Sequence, residues 1–322
     1  MEVRVRLKRK TGGFVSIGNI LGRRVVEGLA PCMTSLALIL LLIAAVLHAT
    51  WNYWAKRAGG GLPFVYLVSV MIVAGYVPVV TTWLVWKPPA LSWSMAWVIF
   101  ASGCLKTSYS LYLQRGYKHG DFSLIYPLAR GTGPLLSTVG AVILLGERPG
   151  PAVIAGGFVV VGSIFYLTGG LRWFVRRSEG EASVNGLRYG LMSGVFIAAY
   201  TLWDRQGVSY WLIPPVLYDA GTALTQLCLL TPFAWRRRAE VAREWREHRK
   251  HALVMTLAAP AAYVLVLTAM SFTAVSYVAP AREVSILIGA FFGAKFLKES
   301  DHRRRLWAAA AMVVGLVALA LG

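Results

Sequence analysis

Ten stretches of this chain, each roughly 19–25 residues long, are almost free of charged side chains, and about 20 apolar residues are what an α-helix needs to cross the hydrocarbon layer of a membrane. They lie at approximately 34–55, 63–86, 93–114, 122–146, 150–170, 187–207, 213–235, 252–272, 278–298 and 304–322. Buried elements of a soluble α/β protein would leave apolar runs of about 5–12 residues instead. Spanning β-strands would be about 10 residues long with alternating polarity. Hydrophobic residues make up 57% of the chain, and soluble domains run at about 45–50%. The expected fold is therefore an all-α integral membrane protein of about ten transmembrane helices.

The formal net charge is +19, which in a soluble protein would point toward nucleic acid. Here the basic residues sit mostly between the apolar runs, where membrane orientation places them, and no nucleic-acid recognition motif accompanies them. The odd-numbered loops carry Lys56 and Arg57, Arg115 and Lys118, Arg172 to Arg188, Arg236 to Lys250, and Lys298 to Arg305. The even-numbered loops hold Lys87, Arg148 and Arg205. This asymmetry puts the odd loops in the cytoplasm and both termini outside. Residues 1–33 are basic and contain Gly12 and Gly13, with no compact apolar core of a signal peptide. Their charge conflicts with translocation, and a start at Met33 would remove the conflict. Cys32, Cys104 and Cys228 are isolated, forming neither a disulfide framework nor a zinc site. His248 and His251 fall in a basic stretch that reads as a solvated loop.

The chain repeats itself. Trp51-Asn52 recurs 152 residues later as Trp203-Asp204. Tyr126-Pro127-Leu128-Ala129-Arg130 has its counterpart in Val278-Ala279-Pro280-Ala281-Arg282-Glu283, and Glu147 in Glu299. Features recurring in order indicate internal duplication. The organisation expected is a basic extension (1–33), a first five-helix repeat (34–170), a linker (171–186) and a second five-helix repeat (187–322). Five spans per repeat make the second repeat inverted, an arrangement common in secondary transporters with a mid-membrane site.

The stretch from Gly116 to Pro134, the Leu144-Leu145-Gly146-Glu147-Arg148 run, the stretch from Ser276 to Ala290 and Leu47-His48-Ala49-Thr50-Trp51-Asn52 together resemble the EamA-like family of the drug/metabolite transporter superfamily. The resemblance spans essentially 33–322 and implies a ten-helix, two-repeat carrier for small metabolites. It is similar to a subgroup often associated with phosphonate use. The basic extension departs from the family pattern.

Ionisable groups inside a bilayer are costly and normally face a cavity or a partner. Arg130 and Arg282 lie inside the fourth and ninth spans, each just after a proline that loosens the helix. Two guanidinium groups near a pseudo-twofold axis could clamp a carboxylate, phosphate or phosphonate. The competing reading is a structural ion pair, with Glu283 and Asp204 neutralising the arginines. Glu283, Asp204 and His48 are also candidate proton relays, a proton being the candidate coupling ion. Trp51, Asn52, Tyr126, Tyr200 and Trp203 complete the candidate substrate-binding set, together with Lys106 deep in the third span. Aromatic faces and hydroxyls suit a planar or polar solute, although single aromatics in membranes more often pack or anchor. Asp219 reads as a residue near an interface, and Glu147 and Glu299 as capping or gating residues.

Gly186, Gly190 and Gly194 line one helix face, as do Gly289 and Gly293. Such a face favours close helix packing and is compatible with a homodimer. No P-loop is present, and no nucleophile–base pair or metal cluster marks an enzyme. No cofactor is expected. The function expected is a multi-pass transporter of the plasma or inner membrane. It would move a small polar metabolite by alternating access between two repeats. The alternatives are a lipid or lipid-linked sugar flippase, or a non-transporting scaffold.

Overall fold

A computed structural model describes residues 33–58, 61–86, 92–119, 122–146, 148–168, 181–285, 288 and 302–321. Ten helices and no strand are found among them: α1 (Ser35–Ala58), α2 (Leu62–Trp86), α3 (Trp93–His119), α4 (Phe122–Leu144), α5 (Pro151–Thr168), α6 (Glu181–Ser209), α7 (Pro215–Trp235), α8 (Arg238–Phe272), α9 (Val275–Arg282) and α10 (His302–Leu321). Each overlaps one of the apolar runs. The reason is local: an uncharged run in hydrocarbon must satisfy its backbone within the segment, and a helix does so.

The outer surface carries Ile39, Ile43, Val77, Val79, Ile143, Phe158, Leu257, Val313 and Val314, all largely exposed. A soluble protein rarely exposes so much contiguous apolar surface, and a lipid-facing one must. Among the described residues, α2 and α8 contain the stretches that are both long and apolar enough to span a bilayer by composition alone, and shorter apolar helical stretches run Ser35–Trp51, Thr132–Leu144 and Pro151–Ser163.

Helices pack mainly across the two halves of the chain. The most extensive neighbours are α4 with α6, α3 with α6, α1 with α8, and α5 with α10. Next come α2 with α8, α2 with α7, α3 with α7, and α4 with α9. The principal core gathers Leu41, Ala44, Val98, Val160, Tyr218, Leu267, Met270, Tyr277 and Met312, drawn from both halves. The α4–α6 crossing is tight enough that a β-carbon at Gly133 would lie 2.6 Å from the Ile197 side chain, and one at Gly194 would overlap Thr132. Gly194, on the small-residue face of α6, is thus covered by α4 of the same chain, as close backbone packing requires.

Two expectations are corrected. Residues 238–250 are not a loop, because α8 begins at Arg238 and continues into the membrane span, with a non-helical kink at His248. The segment alternates Glu240, Glu244 and Glu247 with arginines at helical spacing, and such residues favour helix. His248 is accordingly held in the structure, its Nδ1 2.8 Å from the Glu244 carboxylate. Likewise α6 starts at Glu181, so the end of the expected linker is already helical. The ninth span is described only as α9, which ends at Arg282 with Glu283 as its C-cap, two residues past Pro280. Residues 286, 287 and 289–301, with Gly289 and Gly293, lie outside the described residues, as do residues 1–32, residues 169–180, Glu147 and Glu299.

Candidate functional site

Asp204, on α6, is fully buried and is the hub of a polar network in the bundle. Its position follows from the Trp203-Asp204 pair. The Trp203 indole donates to the Val98 carbonyl of α3 at 2.9 Å, which fixes the rotation of α6. On the next residue, the Arg205 guanidinium donates to the Met270 carbonyl of α8. With α6 pinned between α3 and α8, the Asp204 carboxylate faces inward.

Three hydroxyls donate to that carboxylate. Ser102 of α3 and Tyr218 of α7 reach Oδ1, the latter at 2.8 Å, and Tyr263 of α8 reaches Oδ2. The Lys106 ammonium lies 3.5 Å from Oδ2. Lys106 also donates to the Thr222 hydroxyl at 3.0 Å and stands over the Tyr263 ring, 4.2 Å from its centroid. A neighbouring carboxylate, Asp219 of α7, is also buried and accepts the Tyr76 hydroxyl of α2 at 2.6 Å. The backbone carbonyl of Asp219 accepts from the Thr222 hydroxyl, so that threonine links the main chain at Asp219 to the Lys106 ammonium. Buried charge is tolerated only when paired and hydrogen-bonded, and five helices contribute to meeting that condition here.

A cleft adjoins this network between α1, α8 and α9. Leu41, Ala44, Ala45 and His48 line it from α1, Ala262, Tyr263 and Val266 from α8, and Arg282 from α9. Tyr263 therefore belongs to both: its hydroxyl bonds Asp204, and its ring lies 5.8 Å from the Arg282 guanidinium carbon. Trp51 sits one turn from His48 and donates its indole N–H to Nδ1 at 3.2 Å, with the rings edge to face. A neutral His48 thus carries its proton on Nε2.

The described residues 152 positions on from the α1 lining of the cleft pack differently. At the offset of 152, Ile197 stands for Ala45 and Tyr200 for His48. Tyr109 corresponds to Ala261 or Ala262, depending on a one-residue slip. Ile197 and Tyr200 are buried with Ala129, and Leu105, Tyr109 and Leu113 pack on them. The Tyr109 and Tyr200 rings lie 5.9 Å apart. Large side chains fill that cluster, whereas the alanines of the cleft leave a space of about 10 Å³, room for about one water.

Of the expected residues, the structure brings Lys106 and Asp204 together, and places His48 and Arg282 on one cleft with Trp51 behind His48. Trp203 and Tyr200 serve packing and orientation, and Glu283 is buried at the end of α9. Asp219, expected near an interface, lies within the protein interior. The side chains of Arg130, Tyr126 and Asn52 fall outside the described residues. Tyr263, Tyr218, Ser102 and Thr222 were not singled out from sequence. Hydroxyl side chains in apolar helices were the available signal, but they are common there and usually bond their own backbone, as Thr107 does to the Gly103 carbonyl. Among the described residues no group of metal-ligating side chains is found.

A solved crystal structure of a protein is similar in fold over 88% of this chain and 98% of its own, with a TM-score of 0.68 and 17% sequence identity. No curated protein matches the chain. The family model for the EamA-like transporter family matches residues 184–321, which take in α6 from its first turn through α10. The second half of this chain, carrying Asp204, Tyr218, Tyr263 and Arg282, thus belongs to the EamA-like transporter family, in keeping with the drug/metabolite transporter superfamily.

Proposed function

We propose that the chain is a secondary transporter that carries a small polar metabolite, anionic or zwitterionic, across the cell membrane by alternating access. The observation that carries this reading is the buried Asp204–Lys106 pair, held by hydroxyls from α3, α7 and α8 beside the His48–Arg282 cleft. A scaffold gains nothing from such a costly group, whereas a carrier needs charges that can exchange partners when substrate or a proton arrives. Arg282 is the proposed anion ligand, with Tyr263 beside it, and Arg130 its counterpart from the first half. Asp204 is the proposed proton-accepting group.

The two repeats are taken as 34–170 and 187–322, inverted relative to each other. The packing supports this. Exchanging each helix with the one five places on turns α3–α6 into α8–α1, α2–α8 into α7–α3, and α4–α6 into α9–α1, and each of these is a packed pair. The pairs α2–α7, α4–α9 and α5–α10 map onto themselves, as helices astride a twofold axis would. Rocking of one repeat against the other about that axis would expose the site alternately to each side.

The test is ligand stabilisation of purified full-length protein, followed by flux in proteoliposomes. Amino acids, organic phosphates, phosphonates, nucleobases and cationic drugs form the panel, since a ligand of the native state raises its apparent stability. A shift with anionic or zwitterionic compounds that is lost in Arg282→Gln, and flux of the same compound, is the expected result. No shift from folded protein would turn the reading toward a lipidic substrate.

A further inference from the structure

The 35-residue helix α8 is longer than its span requires. At about 1.5 Å per residue it extends roughly 50 Å, and the hydrocarbon core takes roughly 30 Å. The uncharged part begins after Lys250, so the first turns, 238–250, project beyond the hydrocarbon at the membrane boundary. Arg236, Arg237, Arg238, Arg243, Arg246, Arg249 and Lys250 are all exposed there. Three glutamates, Glu240, Glu244 and Glu247, offset them only in part, and Glu244 is turned inward onto His248.

The opposite face of the same turns is anchored. Val241 packs on the cluster of Ala58, Phe64, Leu67, Val68 and Ala252. The His248 ring lies edge-on to Phe64 and to His251, and His251 meets Trp54. The kink at His248 is therefore seated against the ends of α1 and α2, and the cationic face points away from the protein. Trp235, at the end of α7, and Trp245, among the arginines of the arm, are both exposed. Indole rings favour the headgroup level of a bilayer.

We propose that residues 236–250 form an interfacial arm that binds the headgroups of anionic phospholipids, with the guanidinium groups on the phosphates and Trp245 inserted among the headgroups. Guanidinium suits phosphate geometrically, and a juxtamembrane cluster of four to eight cations reads as an anionic-lipid site. The occupant is lipid because the arm directly precedes the uncharged span of α8 and has exposed tryptophans at its start and within it, Trp235 and Trp245. A soluble polyanion would need neither feature.

The experiment uses the full chain in detergent micelles doped with phosphatidylglycerol or with phosphatidylcholine, and a third sample with inorganic phosphate alone. The wild type should gain thermal stability with phosphatidylglycerol and little with the other two. In the surface variant Arg243→Gln, Arg246→Gln, Arg249→Gln and Lys250→Gln, apparent affinity should fall by roughly tenfold or more. Brominated phosphatidylglycerol should quench a component of the tryptophan emission that Trp245→Phe removes. Equal effects of the two lipids, an equal effect of inorganic phosphate, retention of the increment by the quadruple variant, or quenching unchanged in Trp245→Phe would each overturn the proposal.

Discussion

Removing either partner of the Asp204–Lys106 pair should cost more than removing both. Asp204 is fully buried and Lys106 nearly so, with 14% of its side chain exposed. Lys106→Met takes away the only ammonium the pair offers and leaves a buried carboxylate with its tyrosine and serine donors alone. Breaking a buried pair from one side costs about 3–5 kcal/mol. Asp204→Asn leaves Lys106 with the Thr222 hydroxyl and the Tyr263 ring, so its cost should fall at the lower end, about 3 kcal/mol. In the double variant no charge is stranded, and the loss reduces to a few hydrogen bonds at about 1 kcal/mol each. The singles together should cost about 6–8 kcal/mol and the double about 2–3, so the double should be more stable than their sum by about 3–6 kcal/mol, at or above the upper end of measured couplings between contacting residues. The measurement is an unfolding titration of the four proteins in mixed detergent–SDS micelles. Costs that simply add would refute the pairing as the organising interaction of the network. A Lys106→Met protein as stable as wild type would refute it more directly.

Ala45→Ile gives the cleft the residue found at Ile197. It should weaken the anionic ligand by at least about tenfold, as steric exclusion from a small site would, at a stability cost of about 1–3 kcal/mol because Ala45 is buried, and a binding titration at a temperature where the variant is fully folded checks it. Gly133→Leu should destabilise the fold by about 1–3 kcal/mol or more, because a side chain there meets Ile197 at the α4–α6 crossing. The unfolding titration reads it directly. Trp203→Phe removes the donor to the Val98 carbonyl, and should cost about 1–2 kcal/mol while leaving helix content by circular dichroism unchanged. Proton coupling through Asp204 predicts that substrate flux driven by a pH gradient in proteoliposomes disappears in Asp204→Asn while exchange of substrate across the membrane persists.

The sequence by itself determined the ten helices, because an uncharged run of about 20 residues has a single backbone solution in hydrocarbon. It also marked Asp204, Lys106, His48 and Arg282, since a titratable residue inside such a run stands out against it. It misjudged 238–250, where charge outweighed the helix-favouring glutamate and arginine spacing. Helix in that segment was legible, and its seating by Val241 and His248 against the ends of α1 and α2 was not. The partners were decided by tertiary structure alone. Nothing in the spacing of Lys106, Tyr218 and Tyr263 says that all three meet Asp204, because that depends on how far each helix is rotated about its axis. Those rotations are set by contacts between distant segments, such as Trp203 on the Val98 carbonyl and Gly133 against Ile197. The same holds for the cleft. Ala45 and Ile197 lie 152 residues apart, yet only packing in the folded chain puts one on the cleft and the other in a filled cluster. A hydrophobic run is a property of neighbours in sequence, whereas a site is a property of helices that meet across the bundle.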